Sequence, residues 1–202
     1  MLDLFATVLL ALATVATAWS SYQARWWTGG QSKAYSRANA ARLESTRASA
    51  TANFQSQIDV ATFMQWADAY ARRETELAAF YRKRFRAEFK PVVEAWIATR
   101  PLKSPDAPLT PFAMPRYRLA ATAEAARLEA RATAAAGQAT ADNQRADNYM
   151  LAVVLFASAL FFAGLSTRLR TLGGATALLV LGGVLFTGTL VWIATFPISV
   201  ST

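Results

Sequence analysis

Three runs of the chain carry no charged residue: residues 4–24, 148–167 and 171–202. A helix needs about 20 apolar residues to cross the ~30 Å hydrocarbon layer. Each run therefore predicts a membrane span, within 1–24, about 148–167 and about 172–196. Pro197 suits the point where the last helix stops. Between the first two spans the pattern changes to a helical period with no strand alternation. Small residues recur there at steps of three and four, through Ala38, Ala41, Ser45, Ala48 and Ala52. A matching series runs through Leu119, Ala123, Ala126, Ala130, Thr133 and Gly137. Small seams allow two helices to approach near the short end of the ~8–10 Å packing range. Residues 30–63 and 116–148 are nearly equal in length, and each makes a rod of roughly 50 Å. They predict an antiparallel stalk, with segment 25–63 going out and segment 116–147 returning straight into the second span.

Between the rods, segment 64–115 has a different character. Phe63, Trp66, Tyr70, Phe80, Tyr81, Phe85, Phe89 and Trp96 crowd into 34 residues. Aromatic side chains bury ~150–250 Å² each, enough for a small core. Pro91 suits the first turn of a short helix, "PVVEAWIA". Pro101, Pro105, Pro108, Pro111 and Pro115 then rule out regular helix, and Pro115 is the expected restart of the return rod. The fold expected is an all-α membrane protein: three transmembrane helices, an antiparallel helical stalk and a small helical head with a proline-rich connector.

The first span could instead be a cleaved secretory signal, because Ala16-Thr17-Ala18 has the spacing of a cleavage site. Only Met1, Leu2 and Asp3 precede the apolar run, however, and Asp3 is acidic where a signal is basic. Trp26 and Trp27 follow the run where interfacial aromatics belong. The reading is a retained helix. Trp26, Trp27, Tyr149 and Trp192 would all lie at one membrane interface. Arg25, Lys33 and Arg37 flank the first span on the insert side, with Arg145 before the second. Positive flanks place the insert in the cytoplasm. Arg168 and Arg170 in the terminal hairpin loop argue the reverse. Counted near the membrane, the insert side carries more.

Neither Cys nor His occurs in the 202 residues, which removes disulfides, thiolate and imidazole catalysis and the usual zinc ligands. The net charge of +8 points to anionic partners. The lipid bilayer is the nearest. Nucleic acid is disfavoured, since no finger, phosphate loop or stacking motif is present. In "FYRKRFRAEFK", Arg82, Lys83, Arg84, Arg86 and Lys90 alternate with aromatics. They form either an ordinary amphipathic head helix or a docking surface for an acidic protein. Thr7, Thr14, Thr17 and Ser21 share one face of the first span. Such hydroxyls pack between helices, at ~0.6 kcal/mol each, or line a pore. No charge lies inside any span, which speaks against ion-coupled transport. Glu74 with Glu76, and Asp142 with Asp147, stand at no helical pair spacing and read as solvated surface. No catalytic set, cofactor site or metal site emerges.

The stretches "YQARWWTGGQSKAYS" and "ADNYMLAVVLFASALFFAGLSTRLR" resemble a group of uncharacterised bacterial membrane proteins. These share one transmembrane helix, a long helical insert and a C-terminal hairpin with a basic loop. The resemblance covers the spans and their flanks and carries over no functional residue. It implies a multi-pass protein of the bacterial inner membrane. The function expected is a non-enzymatic homo-oligomer presenting stalks and basic heads as a scaffold. An oligomeric ion channel lined by the first span and a sensory subunit are the alternatives. If the first helix is retained, the intact mass of the purified protein keeps residues 1–18; a mass short by those residues removes the first span.

Overall fold

The computed structural model describes residues 2–101 and 103–198, all α-helix, short 3₁₀ turn or irregular chain. The order is α1 (Leu2–Ala71), α2 (Thr75–Lys83), α3 (Lys90–Ala98), a 3₁₀ turn (Pro111–Ala113), α4 (Ala120–Ser166) and α5 (Leu172–Ala194). Helices α1, α4 and α5 are each long and apolar enough to cross a membrane. The fold is an all-α membrane fold. The chain divides into two compact units, Met1–Ala38 with Thr133–Thr202, and Asn39–Ala132.

Several expected boundaries do not exist as breaks. Helix α1 runs unbroken through residues 24 and 63, and no proline interrupts it. The Gly29–Gly30 pair sits inside it, although each glycine costs a helix ~1 kcal/mol relative to alanine. The return helix starts at Ala120, not at Pro115. Pro115 lies in a turn, and the Leu119 carbonyl accepts the N–H groups of Thr122 and Ala123 to open the helix. The intervening residues deliver Tyr117 to the head.

In the unit holding the spans, the core is Ala13, Ala24, Tyr149, Ala152, Phe156, Ala159, Phe186 and Ile193. Phe156 meets Phe186 at 5.6 Å between ring centres. Gly182 lets α5 close on α4: a Cβ there would stand 3.2 Å from the Ala159 carbonyl oxygen. Phe196, just past α5, packs edge-on against both Tyr149 and Trp192. The opposite faces present Phe5, Val15, Phe161, Val184 and Val191 outward, as lipid-facing positions should.

In the other unit, α1 buries Ser45, Ala52, Asp59, Phe63, Trp66 and Ala69 on one face. Ser45 Oγ donates 2.9 Å to the Ala125 carbonyl, and farther along α1 Asp59 meets Tyr117, just ahead of α4, so the two segments are close and run antiparallel. The α1 side of this seam agrees with the sequence pattern. The α4 side does not: Ala125, Leu128 and Ala132 are buried, whereas Ala123, Ala126 and Ala130 are exposed. Farther along α4, Ala139, Asp142 and Ala146 are buried while Thr133 and Gly137 are exposed. Alanine occurs on every face of α4, so small-residue spacing cannot set its phase. The large residues do: Leu128, Tyr149 and Phe156 are buried and lie whole multiples of seven apart. Overpacking this seam should be costly. Ala132→Leu is expected to lower stability by ~1–3 kcal/mol, while Gln138→Leu, at an exposed position of the same helix, leaves the melting temperature unchanged. Thermal melts of both variants, followed by circular dichroism, check the assignment.

Candidate functional site

The head is built on the end of α1. Phe63 and Trp66 project from it into a cluster with Phe85, Phe89, Val92 and Val93, and with Trp96, Phe112 and Tyr117 packed around them. Phe89 and Phe112 stack at 5.3 Å, and Phe63 meets Trp96 edge-on at 5.4 Å. The proline connector is tied back onto α3, because Trp96 Nε1 donates 2.7 Å to the Pro108 carbonyl.

A buried carboxylate locks this cluster to α1. Asp59 is fully buried, and Arg86 embraces it with two bonds, Nε to Oδ1 at 3.0 Å and Nη2 to Oδ2 at 2.9 Å. Tyr117 donates its hydroxyl to the same Oδ2 at 3.2 Å. Arg86 also reaches Glu88 at 3.0 Å. The bond to Asp59 holds the Arg86 guanidinium above its ordinary value despite partial burial. Burial raises the Tyr117 phenol, and the nearby carboxylate adds to that. Sequence reading passed over Asp59. It sits seven residues beyond Ala52 and seven before Trp66, so extending the α1 seam by one step would have found it.

The basic run does not form one helix. Helix α2 ends at Lys83, residues 84–89 turn, and α3 begins at Lys90. Phe85 and Phe89 must point into the core from both sides of that turn. Arg86 is committed to Asp59. Arg84 lies over the Phe80 ring at 3.4 Å and donates to the Phe80 carbonyl. Arg82, Lys83 and Lys90 remain together around a shallow depression, where Arg82 also pairs with Glu94 at 3.2 Å.

A larger cavity, about 880 Å³, opens beside the aromatic cluster. Its walls include Trp66, Tyr70, Ala78, Trp96 and Ile97, and Trp66 stacks on Tyr70 at 5.3 Å. Arg73, Glu74, Arg100 and Lys103 also line it. Arg73 and Arg100 have φ of 62° and 52°, the left-handed region. Each follows the end of a helix. After α1, Arg73 N donates to the Tyr70 carbonyl and Glu74 N to that of Ala69, the bonding of a Schellman end. After α3, Arg100 N donates to the Ile97 carbonyl. Glycine is the usual residue at such positions, and a side chain there costs of order 1–3 kcal/mol. Nothing in the sequence pattern marks Arg73 or Arg100, apart from Pro101 following the latter.

In the membrane unit, each hydroxyl of the expected stripe bonds back into its own helix. Thr7, Thr14, Thr17 and Ser21 donate to the carbonyls four residues earlier, at 2.7–2.9 Å. Thr7 and Thr14 are exposed, and Thr17 and Ser21 are half-buried. The α1 face turned inward is Ala6, Ala13, Ser20, Gln23 and Ala24. Of the four aromatics expected at the interface, Trp26 is exposed, Trp27 and Trp192 are half-buried, and Tyr149 is core. The Tyr149 hydroxyl donates to the Pro197 carbonyl at 3.3 Å. Asp142 is not solvated surface but buried, paired with Arg145 at 2.9 Å. It approaches α1 so closely that a Cβ at Gly30 would stand 3.0 Å from its Oδ2. Arg145 in turn lies over the Trp27 ring at 4.6 Å. Beside them, Gln31 donates to Asn143 at 2.8 Å.

Compared with family models, curated proteins and solved structures, the chain matches none. The site must be judged on its own chemistry, and the Asp59 lock gives the first test. Asp59→Ala leaves Arg86 with only the exposed Glu88 as anionic partner and the Tyr117 hydroxyl without its acceptor, and losing hydrogen bonds to a buried charge costs ~1.5–3 kcal/mol each. The variant should melt far below the parent, whereas Asp68→Ala, which breaks an exposed pair with Arg72, should not. Tryptophan fluorescence during denaturation reads this out, since Trp66 and Trp96 belong to the head.

Proposed function

We propose that this chain is a non-enzymatic membrane protein that assembles with copies of itself and displays its heads as a docking platform. The observation that carries this reading is a second apolar edge on α1. Leu43, Phe54 and Met64 are 54%, 64% and 64% exposed, with Ala50 and Ala61 between them on the same side. These residues lie outside the predicted spans, where lipid cannot cover them. Exposed apolar rows on a soluble segment mark interaction surfaces. The outer face of α4 offers a fitting counterpart, the exposed small series Ala123, Ala126 and Ala130. Large side chains of one copy would seat on small ones of the next. Such a contact joins two different faces, so it closes into a ring or runs on as a filament.

In this reading the assembly sits in the bacterial inner membrane with its heads in the cytoplasm, as the positive flank of the first span supports. Lys83 and Lys90, with Arg82, form the surface an acidic protein partner would meet. The exposed Thr7 and Thr14 then face either lipid or a neighbouring copy.

The mass of the solubilised complex tests assembly. The wild type should exceed one chain, and Phe54→Glu with Met64→Glu should release monomers while the helical content stays constant. A monomeric wild type would end the proposal. Ion flux in liposomes that is abolished by Thr14→Leu with Thr17→Leu would replace the platform with a channel lined by the first span.

A further inference from the structure

We infer that the head cavity is a binding site for a small aromatic carboxylate. Three features converge there. The first is shape and surface: at about 880 Å³ it falls in the range of small-molecule pockets, ~300–1,000 Å³. Its walls include two indoles, and the Tyr70 ring, stacked on the buried one, is itself 57% exposed. Flat aromatic faces accept another flat ring in an offset or edge arrangement. The second feature is charge. Arg73, Arg100 and Lys103 line the opening and make no ion pair among the described residues. A guanidinium matches a carboxylate through two parallel bonds. Glu74 lines the same cavity, so the site carries a modest positive excess. That favours a single carboxylate over a polyphosphate.

The third feature is independent of the cavity itself. Both arginines occupy left-handed backbone positions where glycine would be less strained. Strained side chains retained around one concavity point to use of those side chains. The left-handed geometry also supplies a clean substitution. Arg→Gly removes the guanidinium and keeps, or relaxes, the backbone.

The experiment uses the full-length protein in lipid nanodiscs, with empty nanodiscs as the blank. The probe is 2-naphthoate, and 2-naphthamide is its neutral counterpart of equal shape. Calorimetric titration should show one naphthoate bound per chain, with the amide weaker by about tenfold, as expected for losing a charged hydrogen-bonded partner. Arg73→Gly with Arg100→Gly should weaken naphthoate by about tenfold or more and leave the amide unchanged, with a melting temperature no lower than the parent's. Ala71→Trp, placed on the cavity wall, should abolish both ligands. If the glycine pair fails to fold, Lys103→Gln with a wild-type salt titration takes its place, and naphthoate affinity must fall in each. Naphthoate heat equal to that of empty nanodiscs overturns the proposal. So does equal binding of acid and amide, or full binding by the double glycine variant. Loss of binding only when the assembly dissociates would instead make the cavity a contact for a second copy.

Discussion

Close approach of α1 to α4 is the constraint to which the rest of the structure answers. Along α1 the buried or half-buried positions include Ala6, Ala13, Ser20, Ala34, Ala41 and Ala48, each one or two steps of seven from the last. A second series runs through Ala24, Ala38, Ser45 and Ala52. A strict seven-residue repeat keeps one face of a helix toward a partner over many turns. Alanine and serine at that face bring the backbones together, but they bury little apolar area each. A seam of this kind cannot supply much of the folding energy itself. Each unit therefore carries its own aromatic cluster, around Tyr149 and Phe156 in one and around Phe63, Trp66 and Phe89 in the other.

Small seams also leave register poorly defined, because one alanine layer looks like the next. The buried polar groups remove that ambiguity. Ser45 reaches one particular carbonyl, Ala125. Asp142 fits against Gly30 because any Cβ there would press on its carboxylate. Asp59 is satisfied only where Arg86 and Tyr117 can both reach it. A slip by one heptad would set a side chain against the Asp142 carboxylate in place of Gly30 and draw Tyr117, just ahead of α4, away from Asp59. The role best attested for buried polar groups among helices is specification of register. Among the described residues, the Asp59 carboxylate bonds only head residues, Arg86 and Tyr117, and so fixes the head to the end of α1.

The fold was legible in the sequence wherever one physical signal dominated. Charge-free runs mark the spans, and the end of α5 falls near Pro197 as the proline requires. The aromatic cluster and the short helix opened by Pro91 are visible for the same reason. The phase of α4 was not legible from its alanines, since a residue found on every face identifies none. Leu128 and Tyr149 held that information, and a reading tuned to small residues passed over them. The basic run misled for a related reason. Charge alternation in "FYRKRFRAEFK" suits a helix face, but Phe85 and Phe89 both have to reach one core, and a turn meets that demand. Asp59 and Asp142 were hidden because a lone acid in a polar helix resembles solvated surface until its place in the seven-residue step is counted.

The two left-handed arginines call for a reason that ordinary helix ending does not provide. A cation near a helix C-terminus gains from the dipole and from bonding the last carbonyls. That gain is available to a residue with ordinary backbone angles, and Arg72 beside α1 already occupies such a position. It does not require the strained residue itself to be charged. Stopping the helices explains no more, since Pro101 forbids continuation of α3 whatever precedes it. The dipole and the chain break therefore account for a cation nearby and for a turn, but not for arginine at the two positions where glycine costs least. What Arg73 and Arg100 share beyond their strain is the cavity they both line. The reason for the side chains is best sought in what that cavity holds.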